Sequence, residues 1–226
     1  MKTVRAWIPK AAFPLLVYLG MTLVSWGLDD PASYFAHPVR VGYVLEGLIA
    51  NWIEVLLTSS VSPHRTETND TSRENLYTVL VGIRFMVGIV FYPFADRRGI
   101  GTFMDSSVMR WAGLLLYFAG YSASNWAIMK LGHQWTGQIL IQEGHRLVTD
   151  GPYARIRHPH YLGMLLVGFG TAFLFRSWIG LLLEVLIEPA YFRMRIGIEE
   201  KMLHKKFGDE WEEYSRHTWK LVPLLY

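Results

Sequence analysis

The sequence predicts an all-α fold, that of a polytopic helical membrane protein, on three observations. Of its 226 residues 51% are hydrophobic, giving a positive mean hydropathy of +0.19. Several stretches of about bilayer-spanning length carry few or no charges. Polar, chemistry-bearing side chains are instead gathered in one connector, 131–160, and in the chain beyond the last apolar run. Five or six membrane segments are expected, with the connector and the C-terminal helices on the cytoplasmic side.

Taken in order, Ala11 to Leu28 is uncharged and, as a helix, about 27 Å long. Val41 to Leu57 carries Glu46, Asn51, Trp52 and Glu54, which suits either a crossing or a helix lying in the interface, and this choice separates six segments from five. A polar loop is expected from Thr58 to Asn75, followed by an apolar run from Leu76 to Phe94 broken by Arg84. Trp111 to Met129 is uncharged and rich in small residues that let helices pack closely. Tyr161 to Phe175 and Trp178 to Tyr191, separated by Arg176-Ser177, read as a tight helical hairpin. A charged helix continues to Phe207 and stops at Gly208; Asp209 is expected to cap a last short helix, and Trp219 and the apolar Leu221 to Tyr226 end to rest on the membrane surface. This divides the chain into N-terminal transmembrane helices (1–130) and a catalytic region (131–226), the latter comprising the connector 131–160, the hairpin 161–191 and helices over 192–226. With six crossings, Lys2, Arg5, Lys10, Lys130, Arg146, Arg155 and Arg157 share the cytoplasmic side, as the positive-inside rule prefers.

The sequence contains no cysteine, which excludes disulfides, thiolate metal sites and a cysteine nucleophile. A formal charge of +3, spread along the chain, gives no case for nucleic acid. His158-x-His160 with His145 lacks the further ligands of a metal site, and none is expected.

His145 to Gly163 is the densest stretch, with Arg146, Arg155 and Arg157, three histidines, Tyr153 and Tyr161. Gly151-Pro152 marks a turn. Pro159 disfavours helix at His158 yet suits a first helical turn, so His158 belongs at the mouth of the next helix. Free N–H groups there, with arginines nearby, suit an anionic or carboxylate-bearing ligand. Farther on, Glu184, Glu188, Arg195 and Glu199 lie within about 60° of one another on a helical wheel, and a carboxylate inside an apolar segment must face a cavity or a partner.

Leu147-Val148-Thr149, Gly151-Pro152-Tyr153, Arg157-His158-Pro159-x-Tyr161-x-Gly163 and Arg195-x-x-x-Glu199-Glu200, in this order, resemble the signature of the isoprenylcysteine carboxyl methyltransferase family. The likeness runs from about Leu131 to Thr218 and fades upstream. It implies an integral-membrane enzyme using S-adenosyl-L-methionine, related to phospholipid methyltransferases. The resemblance places cofactor contacts on Gln138, on His145, Arg146, Leu147 and Val148, on Tyr153, on His158, Pro159, His160 and Tyr161, and on Glu199. It gives Arg195 to the acceptor's carboxylate, with Glu188 and Glu184 on the same wall and Glu200 as a further catalytic candidate. The expected acceptor is a lipophilic carboxylate of isoprenylcysteine type, reached from the lipid bilayer. The alternatives are N- or S-methylation of a phospholipid headgroup or small amphiphile, for which Glu184, Glu188 or Glu200 would take the proton, and a non-enzymatic membrane scaffold.

Overall fold

The structure, a computed structural model, describes residues 12–58, 65–68, 79–80, 82–137 and 139–223. Helix α1 covers residues 12–26, π-helical over Leu15–Met21 and regular over Thr22–Trp26. Asp30 caps the short α2 (Pro31–Phe35) by accepting from Ser33 N at 3.1 Å, and α3 (Pro38–Thr58) follows. Residues 82–98 form α4, with π-helical Val87–Phe91 leading into regular Tyr92–Arg98. Then come α5 (Ser107–Leu131), α6 (Pro159–Leu174), α7 (Trp178–Phe207) and α8 (Asp209–Arg216).

The tightest packing is between α5 and α6, and glycine makes it possible. Gly113 and Gly120 on one helix face Gly170 and Gly163 on the other: a methyl at Gly120 would lie 2.6 Å from the Gly163 carbonyl oxygen, and one at Gly170 2.7 Å from that of Gly113. The seven-residue spacing on both helices brings the backbones together at two levels. Tyrosines knit α1, α3 and α5: the Tyr18 and Tyr121 hydroxyls are 2.5 Å apart, and Asn51 Nδ2 donates to Tyr18 at 2.9 Å.

At the end of the bundle away from the connector, a buried carboxylate organises four segments. Asp96 on α4 accepts from Arg40 on α3 (2.9 Å), Arg110 on α5 (2.9 and 3.0 Å) and Arg176 in the α6–α7 turn (2.6 Å). Arg110 is fully buried and also reaches Asp105 at 2.6 Å and the Leu174 carbonyl at 2.9 Å. The Asp96 clasp holds Arg176 in its left-handed turn (φ 48°), after which Ser177 caps α7 by accepting from Gly180 N at 3.0 Å.

The expected all-helical architecture is present, with differences in detail. The loop expected at Thr58 to Asn75 contains a strand, β1 (Arg65–Thr68), paired antiparallel with β2 (Leu140–Gln142); the loop's other residues after Thr58 lie outside the described set. Lys2, Arg5 and Lys10 also lie outside it. The hairpin's second arm and the charged helix are one 30-residue helix that contains Pro189. Gly208 (φ 52°) both ends α7 and caps α8, so Asp209 is the first residue of α8 rather than its cap. Of the end expected at the membrane surface, Leu221 is buried against Tyr161, Leu165, Phe192 and Ile196, an apolar cluster that recruits it, and residues 224–226 lie outside the described set. Among the described residues no helix is long and apolar enough to cross a membrane. The reasons are visible: α6 has 16 residues, α3 carries Glu46 and Glu54, and the middle of α5 interrupts its apolar run with Gly120, Ser122, Ser124 and Asn125. Leu115, Phe118 and Trp126 on α5, and Leu182, Val185 and Leu186 on α7, nonetheless stay exposed.

Removing one partner of a buried ion network strands the others. Asp96→Asn is therefore expected to cost roughly 3–5 kcal/mol, read as a large fall in Tm of the detergent-purified protein, whereas Asp29→Asn, in an exposed pair with Arg97, changes Tm little.

Candidate active site

Helix α6 begins where the sequence requires. His158 takes a non-helical conformation (φ −124°, ψ 59°), Pro159 occupies the first turn, and no side chain caps the helix. Gly151 (φ 61°) opens a 3-10 turn, Gly151–Ala154, that brings Tyr153 inward. A cavity of about 550 Å³ lies beneath, running from the connector into the bundle.

The centre of the site is the Tyr161 hydroxyl. It donates to Glu199 Oε2 at 2.8 Å and accepts from Arg195 Nε at 2.5 Å. The Tyr161 ring stacks between His158 (5.6 Å) and Phe192 (5.2 Å), with the Arg195 guanidinium 5.5 Å from its centroid. Arg195 Nη2 donates to the Gly137 carbonyl at 2.7 Å, fixing the entry to the connector on α7. His160 turns the other way, with Nδ1 2.8 Å from Ser124 Oγ and its ring edge-on to Trp135. Burial pushes the His160 imidazole down to about 4, so it is neutral at pH 7. Burial also lowers His145, whose Nδ1 has no partner among the described residues.

The structure therefore brings together, around one cavity, His145, Arg146, Leu147, Val148, Tyr153, His158, His160, Tyr161, Glu184, Glu188, Arg195 and Glu199. Pro159 is buried as the start of α6 and does not line the cavity. Gln138 lies outside the described residues. Glu200 faces away from the cavity, bound by Arg157 Nε (2.9 Å), Lys220 Nζ (3.1 Å) and His158 Nε2 (3.4 Å). Gly163 faces α5 rather than the cavity, so its role is helix packing.

Three contributors are absent from the residues that the sequence proposes for the site. Arg84, noted only as an interruption, pairs with Glu188 and approaches Glu184 at 3.8 Å. Its signal was present: a lone cation in an apolar run needs a partner, and two unpaired acids lay in another. Trp211 and Tyr214 on α8 also line the cavity, and Tyr214 donates to the Tyr153 carbonyl at 2.8 Å. Nothing local in the sequence marks that long-range contact.

The C-terminal segment braces the connector from behind. Arg157 N donates to the Trp219 carbonyl (2.8 Å), Trp219 N to that of Arg155 (2.8 Å), and Arg157 Nη1 to that of Ser215 (2.7 Å).

Comparison with known proteins shows what the chain is similar to. A family model described as the isoprenylcysteine carboxyl methyltransferase family matches residues 112–205. The chain is 32% identical over 146 residues to protein-S-isoprenylcysteine O-methyltransferase B of Arabidopsis thaliana, a match covering 63% of this chain and 70% of that protein. The chain belongs to the isoprenylcysteine carboxyl methyltransferase family. It is also 32% identical over 122 residues to the protein-S-isoprenylcysteine O-methyltransferase of Schizosaccharomyces pombe, covering 48% of this chain and 52% of that protein. The matched stretch thus spans only about half the length of that relative. The fold is shared with a solved structure described as the eukaryotic intramembrane Ras methyltransferase, with a TM-score of 0.60 at 21% identity, covering 94% of this chain and 77% of that one. The family match contains every sequence-predicted site residue and stops short of Trp211 and Tyr214.

Burial alone would raise the Glu200 carboxyl, but the hydrogen bond and charge of His158, then Arg157 and Lys220, outweigh it and hold it down to about 2. The resulting stabilisation is complete above about 4.5, the ordinary glutamate value, and is lost as pH falls toward 2. Glu200→Gln is expected to lower stability by about 2 kcal/mol at pH 7, and the gap between the two Tm curves should close as pH drops below 4.5.

Proposed function

We propose that this protein is a membrane methyltransferase that moves a methyl group from S-adenosyl-L-methionine to a lipophilic carboxylate of isoprenylcysteine type. The observation that carries the reading is the cavity built from the family's motif residues, with Tyr161 joining Glu199 and Arg195 at its centre. Family membership favours methyl transfer to a carboxylate over the amine and thiol alternatives. Competent residues at the matched positions count against a bare scaffold.

The residues present fit the cofactor. At about 550 Å³ the cavity falls within the size range of small-molecule sites. Tyr153, His158, Trp211 and Tyr214 offer aromatic and imidazole surface for an adenine, and Glu199 a carboxylate for an ammonium group. Uncapped N–H groups at the start of α6 and the buried Nδ1 of His145 suit the polar remainder. When bound, S-adenosyl-L-methionine supplies an electrophilic methyl on a cationic sulfur.

The chain's part is placement and exclusion of water. A carboxylate acceptor is already ionised at pH 7 and needs no general base, in keeping with a neutral His160 and a Glu200 committed to Arg157 and Lys220. Orientation in a dry cavity is what remains to be supplied, and Tyr161, clamped from both sides, supplies a rigid wall. The exposed apolar side chains of α5 and α7 make a lipid-facing surface, so the helices sit in the bilayer as a bundle although, among the described residues, none is long and apolar enough to cross it alone. Multiple passes with the connector on the cytoplasmic side are part of this reading.

The purified protein should gain about 2.7 kcal/mol from S-adenosylhomocysteine at a hundredfold excess over its dissociation constant, seen as a rise in Tm, and nothing from NADPH. Stabilisation by NADPH alone would contradict the methyltransferase reading. With the cofactor and an S-prenylcysteine, the product should be a base-labile methyl ester; methylation only of amine amphiphiles would favour the alternative.

A further inference from the structure

At the inner end of the cavity three ionisable side chains from two helices meet. Arg84 Nε on α4 pairs with Glu188 Oε1 on α7, while Nη2 lies 3.8 Å from Glu184 Oε2 and donates to the Met164 carbonyl at 2.9 Å. The two glutamates are 5% and 3% exposed, and Oε2 of each has no hydrogen-bond partner among the described residues. The Arg84 side chain keeps 28% exposure and lines the cavity. One acid would have sufficed to neutralise one arginine. Two acids around it are costly to hold in an apolar setting if their purpose is structural.

Position along the helices places this cluster just inside the cofactor pocket. Met164 is three residues, about 4.5 Å, beyond Tyr161 along α6. Phe85, Ile89 and Tyr18 line the adjoining part of the cavity and offer apolar surface for a lipid chain. Arg195, the cation that the resemblance gives to the acceptor, spends Nε on Tyr161 and Nη2 on the Gly137 carbonyl, which makes it a positioning residue for the cofactor wall.

We infer that Arg84 receives the acceptor's carboxylate, with Glu184 and Glu188 as resting counter-ions that the acceptor replaces. This rests on the carboxylate reading above. The exchange is anion for anion, so the guanidinium stays paired throughout, and its planar fork matches the incoming group. Glu184 retains the Tyr92 hydroxyl, 3.5 Å away, as a partner. In the reaction a carboxylate oxygen forms the new bond to the methyl carbon, the carbon–sulfur bond breaks with its electron pair going to sulfur, and no proton moves. The ester is neutral and loses its hold on Arg84, which returns to Glu188 and releases the product.

Removing a buried acid should therefore improve acceptor binding. Initial rates with an N-acyl S-prenylcysteine acceptor, and S-adenosylhomocysteine affinity, would be measured for wild type, Glu188→Gln, Arg84→Lys and Arg84→Gln. Glu188→Gln should lower the acceptor KM by roughly three- to tenfold, and Arg84→Gln should lower kcat/KM by about a hundredfold with partial recovery in Arg84→Lys. Cofactor affinity should stay within about twofold in all variants, since Arg84 touches acceptor and not cofactor. A higher acceptor KM in Glu188→Gln, or a wild-type KM in Arg84→Gln, would overturn the inference. If Arg84→Gln does not fold, the sign of the Glu188→Gln effect decides. A wild type that binds S-adenosylhomocysteine yet esterifies no carboxylate would instead overturn the acceptor reading beneath it.

Discussion

The Tyr161 hydroxyl, held between an arginine donor and a carboxylate acceptor, is the constraint on which the site depends. One oxygen ties α6 to α7 through Arg195 and Glu199, and Arg195 in turn ties both to the connector at Gly137. The ring carries the same function into the apolar phase by stacking against His158 and Phe192. Three successive segments thereby share one register. The cost of burying the polar groups is met because each finds a partner of complementary type.

The two ends of the bundle solve the burial of charge differently. At Asp96 one carboxylate serves three guanidinium groups, and the arrangement is closed, with Arg110 fully buried. At Arg84 the ratio is inverted, with two carboxylates on one guanidinium that still faces a cavity. A closed network is suited to holding helices together, and an over-supplied open one to exchanging a partner. That contrast separates a structural from a functional reading of two clusters that look alike in composition.

Much of the fold was legible because helix signals are local. His158-Pro159 and Gly208 mark helix ends through local chemistry that needs only a few neighbouring residues. The stripe of Glu184, Glu188, Arg195 and Glu199 was legible from helical periodicity, and all four residues line the cavity. What the sequence did not disclose is non-local. The pairing of β1 with β2, the pairing of Arg84 with Glu188 and the return of Trp211 and Tyr214 to the connector each join residues more than sixty positions from their partners or around a shared cavity. The packing role of Gly163 was hidden for a related reason: whether a glycine clears a ligand or a neighbouring helix depends on which side α5 packs.

The most direct measurement is the affinity of Tyr161→Phe for S-adenosylhomocysteine, determined beside its Tm. The substitution removes one oxygen and leaves the stacked ring. The account predicts a dissociation constant raised about tenfold, the equivalent of one hydrogen bond to charged partners, in a protein that remains folded. An unchanged dissociation constant would contradict it, showing that Glu199 and Arg195 hold their places without the hydroxyl between them.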